Sequence, residues 1–443
     1  MFSNKDLRKL IIPLVIEQLL AVTIGMADTV MVSSCGEAAV SGISLVDSIN
    51  FLLITLFSSL ATGGAVIAFQ YIGRGDHKSA SLAAKQLFYA SLALSAVLGV
   101  IAVFFRKPVL NMVFGSIEAD VMAHAQIYFL LSAISYPFLA VYNAGAALFR
   151  SMGDSRTTML ISILMNTINI VGNAILIYGF QMAAAGAATA SLVSRAVGAI
   201  IITVLLLNPR RIIFYDKLHK PEIHLSMLKS ILQIGVPNGL ENSIFQIGKI
   251  LVASIVSGFG TISITANAVA GNLASLQVIP GMALGMAMIT VVGQCIGAKD
   301  YEAVKKYTKK LMLITYGVVW AMTLLMLLFS KQILSFYSLS EETTTMTMEV
   351  FIVHGICAVI VWPLAFALPN ALRAANDVRF TMIVSLLSMW IFRIGFSYIL
   401  AIYFNMGILG TWIAMCIDWF CRGACFVIRF ARGKWKNISF IDN

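Results

Sequence analysis

Charge is what this 443-residue chain has least of: Asp, Glu, Lys and Arg make up 12% of it, against 59% hydrophobic residues. So little polar surface cannot cover that apolar mass in water, which excludes a soluble globule and makes lipid part of the solvent. Enzyme signatures are missing too. There is no His-Glu-x-x-His, no Gly-x-Ser-x-Gly and no Gly-x-x-x-x-Gly-Lys-Ser/Thr, so neither hydrolase chemistry nor direct use of ATP is expected, and no cofactor. The five histidines are scattered, and the six cysteines (Cys35, Cys295, Cys357, Cys416, Cys421, Cys425) keep no metal-ligand or disulfide-framework spacing. Buried free thiols are the expectation.

Long apolar runs are abundant instead. They recur from end to end, each sufficient to cross about 30 Å of hydrocarbon at about 1.5 Å per residue. Transmembrane strands would alternate in polarity, so the fold expected is an all-α membrane protein of about twelve transmembrane helices. Spans fall near 10–33, 44–72, 82–105, 124–148, 158–179, 184–207, 228–257, 267–296, 310–330, 348–372, 380–404 and 408–428. Of the 31 Lys and Arg, 24 lie in the termini and alternate loops, 3 (Arg106, Lys107, Lys331) in the intervening loops and 4 (Arg195, Lys249, Arg393, Arg422) inside spans. Basic loops stay in the cytoplasm. Both termini are therefore expected there, in a multi-pass protein of the cell (inner) membrane. The same asymmetry accounts for the net charge of +11 without a nucleic-acid partner. The first span lacks a small-residue cleavage site and carries Glu17 and Asp28, so it reads as a mature helix rather than a signal peptide.

A self-match at a nearly constant offset divides the chain. Pro13 and Glu17 match Pro237 and Glu241 at 224; Gln70-Tyr-Ile-Gly-Arg-Gly-Asp76 matches Gln294-Cys-Ile-Gly-Ala-Lys-Asp300 at 224; Arg150, Asp154, Arg156 and Thr158 match Arg373, Asp377, Arg379 and Thr381 at 223. Phe180, Met182 and Gly186 match Phe404, Met406 and Gly410 at 224 again. Duplication is the economical reading: an N-terminal six-helix lobe (1–207), a basic cytoplasmic linker (208–228) containing Pro209 and Pro221, and a C-terminal six-helix lobe (229–443). Six helices is an even number, so both lobes start on the same side and are pseudo-symmetric about the membrane normal. Two lobes that rock suit alternating access in a monomer.

The helix 1 stretch from Pro13 through Glu17 and Asp28, followed by Cys35-Gly-Glu-Ala-Ala-Val-Ser-Gly, resembles the multidrug and toxic compound extrusion (MATE) family. The end of helix 2 (Gln70 to Asp76) and the turn Phe149-Arg-Ser-Met-Gly-Asp154 are similar to that family as well. The resemblance covers essentially the whole chain. It implies two six-helix lobes and export of organic cations or amphiphilic drugs in antiport with H+ or Na+. The closest likeness is to the DNA-damage-inducible-F branch, whose helix 1 coupling carboxylate falls on Asp28, with polar partners on Asn169 and Ser191. The second acidic position of that branch's cluster is Asn173 here. Another branch carries a helix 7 carboxylate where this chain has Phe245, one turn beyond Glu241.

Ionisable groups within spans are disfavoured by about 2.5–3.5 kcal/mol each, so they tend to face cavities and mark ion paths. Asp28 sits past the middle of helix 1 and can alternate between protonated and charged as its access switches. Ser162, Asn166, Asn169 and Asn173 follow at spacings of 4, 3 and 4 on one face of helix 5, and helix 6 offers Ser191, Ser194 and Arg195. Asp28, Asn169, Asn173 and Ser191 are thus the expected ion-coupling set, able to hold a proton or, at Asp28, Asn169 and Asn173, Na+. Glu17, about three turns before Asp28, reads either as a cytoplasmic relay or as cement for the Pro13 end of the helix, and Glu241 reads the same way in the second lobe. Lys249 needs an acidic partner, Glu241 or a substrate anion. Glu241, Gln246, Lys249, Met282, Met286, Trp390 and Arg393 form the expected substrate-binding set, with Trp362, Trp412, Trp419 and Met288 as further apolar wall. Asp418 and Arg422, four apart with the acid first, read as a structural pair. The rival reading is a flippase of lipids or lipid-linked oligosaccharides from a related two-lobe family.

Overall fold

A computed structural model of the protein describes residues 2–114, 118–216, 218, 220, 222–335, 337 and 339–438, and within them not the side chains of 23–30. The Asp28 side chain and the linker residues Lys217, His219 and Pro221 therefore lie outside the described residues, although the backbone at Asp28 is helical.

The N-terminal half holds α1 (Asn4–Ser33), α2 (Glu37–Gly73), α3 (His77–Phe114), α4 (Ala119–Ser151), α5 (Ser155–Asn173), a π-helical turn (Ala174–Gly179) and α6 (Ala183–Leu206). Then come α7 (Leu225–Ser257), α8 (Thr261–Gly297), α9 (Tyr301–Leu328), the short α10 (Ser330–Ser335), α11 (Glu341–Ile360), α12 (Leu368–Ala374), α13 (Val378–Ser388) and α14 (Gly407–Ala431). Among the described residues there is no strand, and eleven helices are long and apolar enough to cross a membrane. The remaining expected span is α1, 30 residues or about 45 Å long. Two expectations about helix breaks differ from the structure. Arg106 and Lys107 lie within α3, whose only departure from helical geometry is a kink at Phe105, three residues before Pro108. Pro13 and Pro237 sit inside α1 and α7 instead of opening them.

The repeat is visible in the backbone itself. Eleven described residues have positive φ, and ten of them form five pairs at the sequence offset: Gly36 with Gly260, Gly75 with Lys299, Gly153 with Asn376, Gln181 with Asn405, and Ala183 with Gly407. The π-helical turn Ala174–Gly179 recurs as Tyr398–Tyr403, again 224 residues on. These pairs explain the repeated motifs physically. In Gln70–Asp76 the helix ends at Gly73, Gly75 turns the chain through left-handed space, and Asp76 caps α3 by accepting from the Ser79 N–H at 3.0 Å. Hydrogen bonds from Ser79 hold the Asp76 carboxyl below the usual carboxylate range. In the second copy Lys299 makes the turn and Asp300 accepts from Ala303 N–H at 2.9 Å.

Contacts group the chain into residues 2–239 and 240–443, parting within α7 just after Pro237. In the first unit, Val46, Phe57, Phe129 and Tyr136 form a core shared by α2, α3 and α4. Small residues let its helices approach closely, as they must where lipid gives no hydrophobic drive: a Cβ on Gly63 would lie 2.6 Å from the Ile231 carbonyl, and one on Gly145 2.9 Å from the Ile202 side chain. The stretch 208–224 is not a free tether. Tyr89 donates to the Leu218 carbonyl at 2.7 Å, Gln86 donates to the Glu222 carbonyl at 2.6 Å and accepts from His224 N–H at 3.0 Å, and Tyr215 is buried against Phe88. In the second unit the core gathers around Trp362, Trp412 and Trp419 on α11's extension and α14.

Candidate functional site

In the N-terminal unit, α5 and α6 bring together three of the expected coupling residues. Asn169 donates to Ser191 Oγ at 3.0 Å, and Asn173 donates to Asn169 Oδ1 at 3.4 Å. Asn169 and Asn173 are buried, and the π-helical turn starts at the next residue, Ala174. π-turns mark functional sites often enough to be noted where they adjoin one. The helix that carries Asp28, α1, packs along α5 and also touches α6. Asn166 is turned to Ser162, at 3.3 Å.

A second polar cluster in this unit was not anticipated. Tyr128 and Asn50 donate to Asp47 Oδ1 at 3.0 and 3.2 Å, Tyr136 donates to Asn50 Oδ1 at 2.7 Å, and nearby Arg195 donates to Ser135 Oγ at 2.7 Å. The signal was present: Asp47 and Asn50 are three apart, hence on one face of α2.

Glu17 and Glu241 occupy equivalent places. Arg150 lies 3.5 Å from Glu17, which also accepts from the Thr158 hydroxyl at 3.0 Å; Arg373 donates to Glu241 at 2.7 Å. The two ion pairs repeat at offsets of 224 for the acid and 223 for the base. Each ties the Pro-containing helix of its unit to the helix end that carries the repeated Arg.

In the C-terminal unit a cavity of about 270 Å³ is bounded by α7, α8, α11, α14 and the π-helical turns Pro363–Ala367 and Met389–Gly395. Lys249, Met282 and Arg393 of the expected set line it; Glu241, Gln246, Met286 and Trp390 do not. Its aromatic wall is Phe245, Trp362, Phe366, Trp412 and Trp419. Trp362 stacks on Phe366 at 5.4 Å, and Phe366 meets Trp419 edge-on at 5.3 Å. Gly281, just after Pro280, seats Trp362, because a Cβ there would come within 2.4 Å of the indole ring. Polar neighbours are fixed: Trp412 donates to Asn267 Oδ1 at 3.0 Å, and His354 Nδ1 lies 2.9 Å from Gln277 Oε1, whose amide is held in turn by Thr323.

Among the described acids Asp418 is the most deeply buried. Arg422 grips both its oxygens at 2.9 Å, Ser388 donates to it, and Arg393 is 3.9 Å away. Arg393 stands on a π-turn where its repeat mate Asn169 stands on regular α-helix. Lys249 has no carboxylate within 4 Å among the described residues; Glu241, one of its expected partners, is engaged by Arg373. No group of three or more His, Cys, Asp or Glu able to hold a metal occurs among the described residues, and all six cysteines are free.

Two duplicated helical units with membrane-length apolar helices, one carrying a polar nest and the other an aromatic cavity, define a multi-pass membrane transporter. The MatE family profile matches residues 13–175 and again 237–399, at the same 224-residue step, and the chain belongs to this family of multidrug and toxic compound extrusion transporters. It is 26% identical to the uncharacterized transporter YisQ of Bacillus subtilis, over 96% of this chain and 93% of that one. It is also 26% identical to a probable multidrug resistance protein NorM of Thermotoga maritima, over 98% and 93%. Among solved structures, an outward-facing multidrug resistance MATE transporter of the MOP superfamily superposes with a TM-score of 0.89 at 21% identity, covering 98% of this chain and 97% of that one. A MOP superfamily transporter from Pyrococcus furiosus, described as having a binding pocket of reverse polarity, superposes with a TM-score of 0.87 at 21% identity over the same shares.

Proposed function

We propose that the chain is a secondary active exporter of amphiphilic drugs that works by alternating access, with H+ or Na+ as the counter-ion and no catalytic activity. The counter-ion binds at Asp28, with Asn169, Asn173 and Ser191 supplying neutral oxygens around it. The observation that carries this reading is the hydrogen-bonded line from Ser191 through Asn169 to Asn173, beside the helix that bears Asp28. Neutral amides and a hydroxyl beside a helix that bears a carboxylate can replace the hydration of a small cation, or accept the proton's hydrogen bonds, without fixing a permanent ion pair. In sequence the set resembles that of the DNA-damage-inducible-F branch at Asn169 and Ser191 and departs from it at Asn173.

On the substrate side, the aromatic cavity of the C-terminal unit suits flat apolar molecules. Its net positive wall disfavours organic cations at that place. The excess of Lys and Arg in alternate loops supports cytoplasmic termini in the inner membrane, and a single chain supplies both halves, so a monomer suffices. The test is dye efflux from proteoliposomes with pH and Na+ gradients imposed separately. Asp28→Asn abolishes gradient-driven efflux while the protein remains folded; wild-type efflux in that variant discards the coupling assignment.

A further inference from the structure

We infer that the cavity of the C-terminal unit binds an aromatic organic anion, a carboxylate or sulfonate carried on one or two flat rings. This rests on the export reading above and names the substrate class for it.

Charge is the first ground. Lys249 and Arg393 line the cavity, and Arg422 lies behind it, 5.4 Å from the Phe245 ring and 5.2 Å from that of Phe366. Among the described residues only one carboxylate, Asp418, stands against these three cations, and it is already occupied by two bonds from Arg422 Nη2 and by Ser388. Two positive charges therefore remain beside a largely aromatic wall whose other polar members are Asn267, Ser275, His354 and Thr411. Glu241 and Asp377 do not offset them, since Arg373 and Arg429 hold those acids at 2.7 Å. Cations withdrawn from water without a counter-charge are strongly destabilising, and a bound anion would relieve that.

Hydrogen bonding is the second ground and is independent of the charge count. On two residues that line the cavity, Trp419 Nε1 and Arg393 Nε are buried and have no hydrogen-bond partner among the described residues. Trp419 is 4% exposed and lines the cavity. Both groups are donors that cannot accept, so a ligand that satisfies them must bring acceptor oxygens. An ammonium ligand brings none. The planar guanidinium of Arg393 matches a carboxylate or sulfonate in particular, because both present paired oxygens.

Shape supplies the ring. The rings of Phe245, Trp362, Phe366, Trp412 and Trp419 line a cavity of about 270 Å³, which suits one or two fused rings with an acid group.

The experiment uses the full-length protein in phosphatidylcholine nanodiscs. Equilibrium dialysis with radiolabelled 1-naphthalenesulfonate is compared with the same measurement on 1-naphthyltrimethylammonium, empty nanodiscs correcting for partition into lipid. The sulfonate is expected to bind saturably at one site per chain, at least about tenfold more tightly than the ammonium, and Lys249→Met to weaken the sulfonate about tenfold. Because the two ligands are compared on the wild-type protein, the result stands even if the variant fails to fold. Equal or tighter binding of the ammonium overturns the inference, as does unchanged sulfonate affinity in a folded Lys249→Met protein. Displacement of the sulfonate when phosphatidylglycerol replaces phosphatidylcholine assigns the site to a lipid headgroup and equally overturns it. Loss of gradient-driven efflux in Asp28→Asn with no sulfonate binding sinks only this inference; sulfonate binding without any gradient-driven efflux sinks only the antiport reading.

Discussion

Glu241 and Arg373 show how a charged pair survives in an apolar unit. Their contact is short, 2.7 Å, both side chains are largely buried, and Arg373 spends a second nitrogen on Asn370 Oδ1 at 2.9 Å. Neither charge has water to fall back on, so removing one strands the other. Such a loss is typically worth about 3–5 kcal/mol, whereas removing both is far milder. Glu241→Gln should therefore lower the thermal midpoint in detergent markedly, and Glu241→Gln combined with Arg373→Gln should recover much of it. The pair at Glu17 is looser, 3.5 Å, and Thr158 Oγ1 donates to the same carboxylate. Glu17→Gln should accordingly be the gentler lesion, because a neutral amide still accepts from that hydroxyl. Equal losses at the two sites, or a double variant as unstable as the single, would mean that these pairs are not what holds each Pro-containing helix to its neighbour.

At the scale of elements, the turn between the π-helical segment and the last long helix of each half is the most constrained stretch of backbone. Its first copy places Gln181 at φ +55° and Ala183 at φ +45°; its second places Asn405 at φ +54° and Gly407 at φ +56°. Left-handed backbone costs an L residue with a Cβ about 1–2 kcal/mol, and Gly almost nothing. Ala183→Gly should then raise stability by roughly 0.5–1 kcal/mol and Gly407→Ala lower it by at least as much, both read as shifts in denaturation midpoint. Opposite signs would show that packing, not φ, governs this turn. The turn also marks where sequence reading stops. Phe180, Met182 and Gly186 announce the repeat through side chains, yet the residues that make the turn, Gln181 and Ala183, match Asn405 and Gly407 in conformation and not in identity. Helix number, the repeat and the row Asn169–Asn173 were legible because periodicity and charge placement carry them. The cavity was legible only in part. Lys249 and Arg393 stood out as charges in apolar spans, but Phe245, Phe366 and His354 look like any other apolar-helix residues until π-turns and Gly281 bring them together. Asp47 was overlooked because Tyr128, which donates to it, and Tyr136, which donates to its neighbour Asn50, come from a helix more than 80 residues away.

For the whole molecule, orientation decides whether the proposed chemistry can run in the right direction. A counter-ion moving down its gradient drives export only if the end of α1 beyond Asp28 lies toward the outside and the residues around Glu17 toward the cytoplasm. That requires the termini and the 208–224 stretch to be cytoplasmic, as the clustering of Lys and Arg at the termini and in alternate loops argues. In a variant lacking the six native cysteines, Lys331→Cys should react with a membrane-impermeant maleimide on intact cells, and Lys220→Cys should react only after permeabilisation. Lys331 tests the sparsely charged side and Lys220 the basic one, so the two outcomes are independent. The reverse pattern would place Asp28 toward the cytoplasm and turn the same gradient into a drive for uptake. Labelling of both positions from outside would mean that the chain inserts in two orientations, as charge-balanced membrane proteins do, and the loop asymmetry would then be too weak to set direction. The excess of cationic side chains on one set of loops makes a single orientation the expected result, and it ties the direction of transport to the same scarcity of charge that rules out a soluble fold.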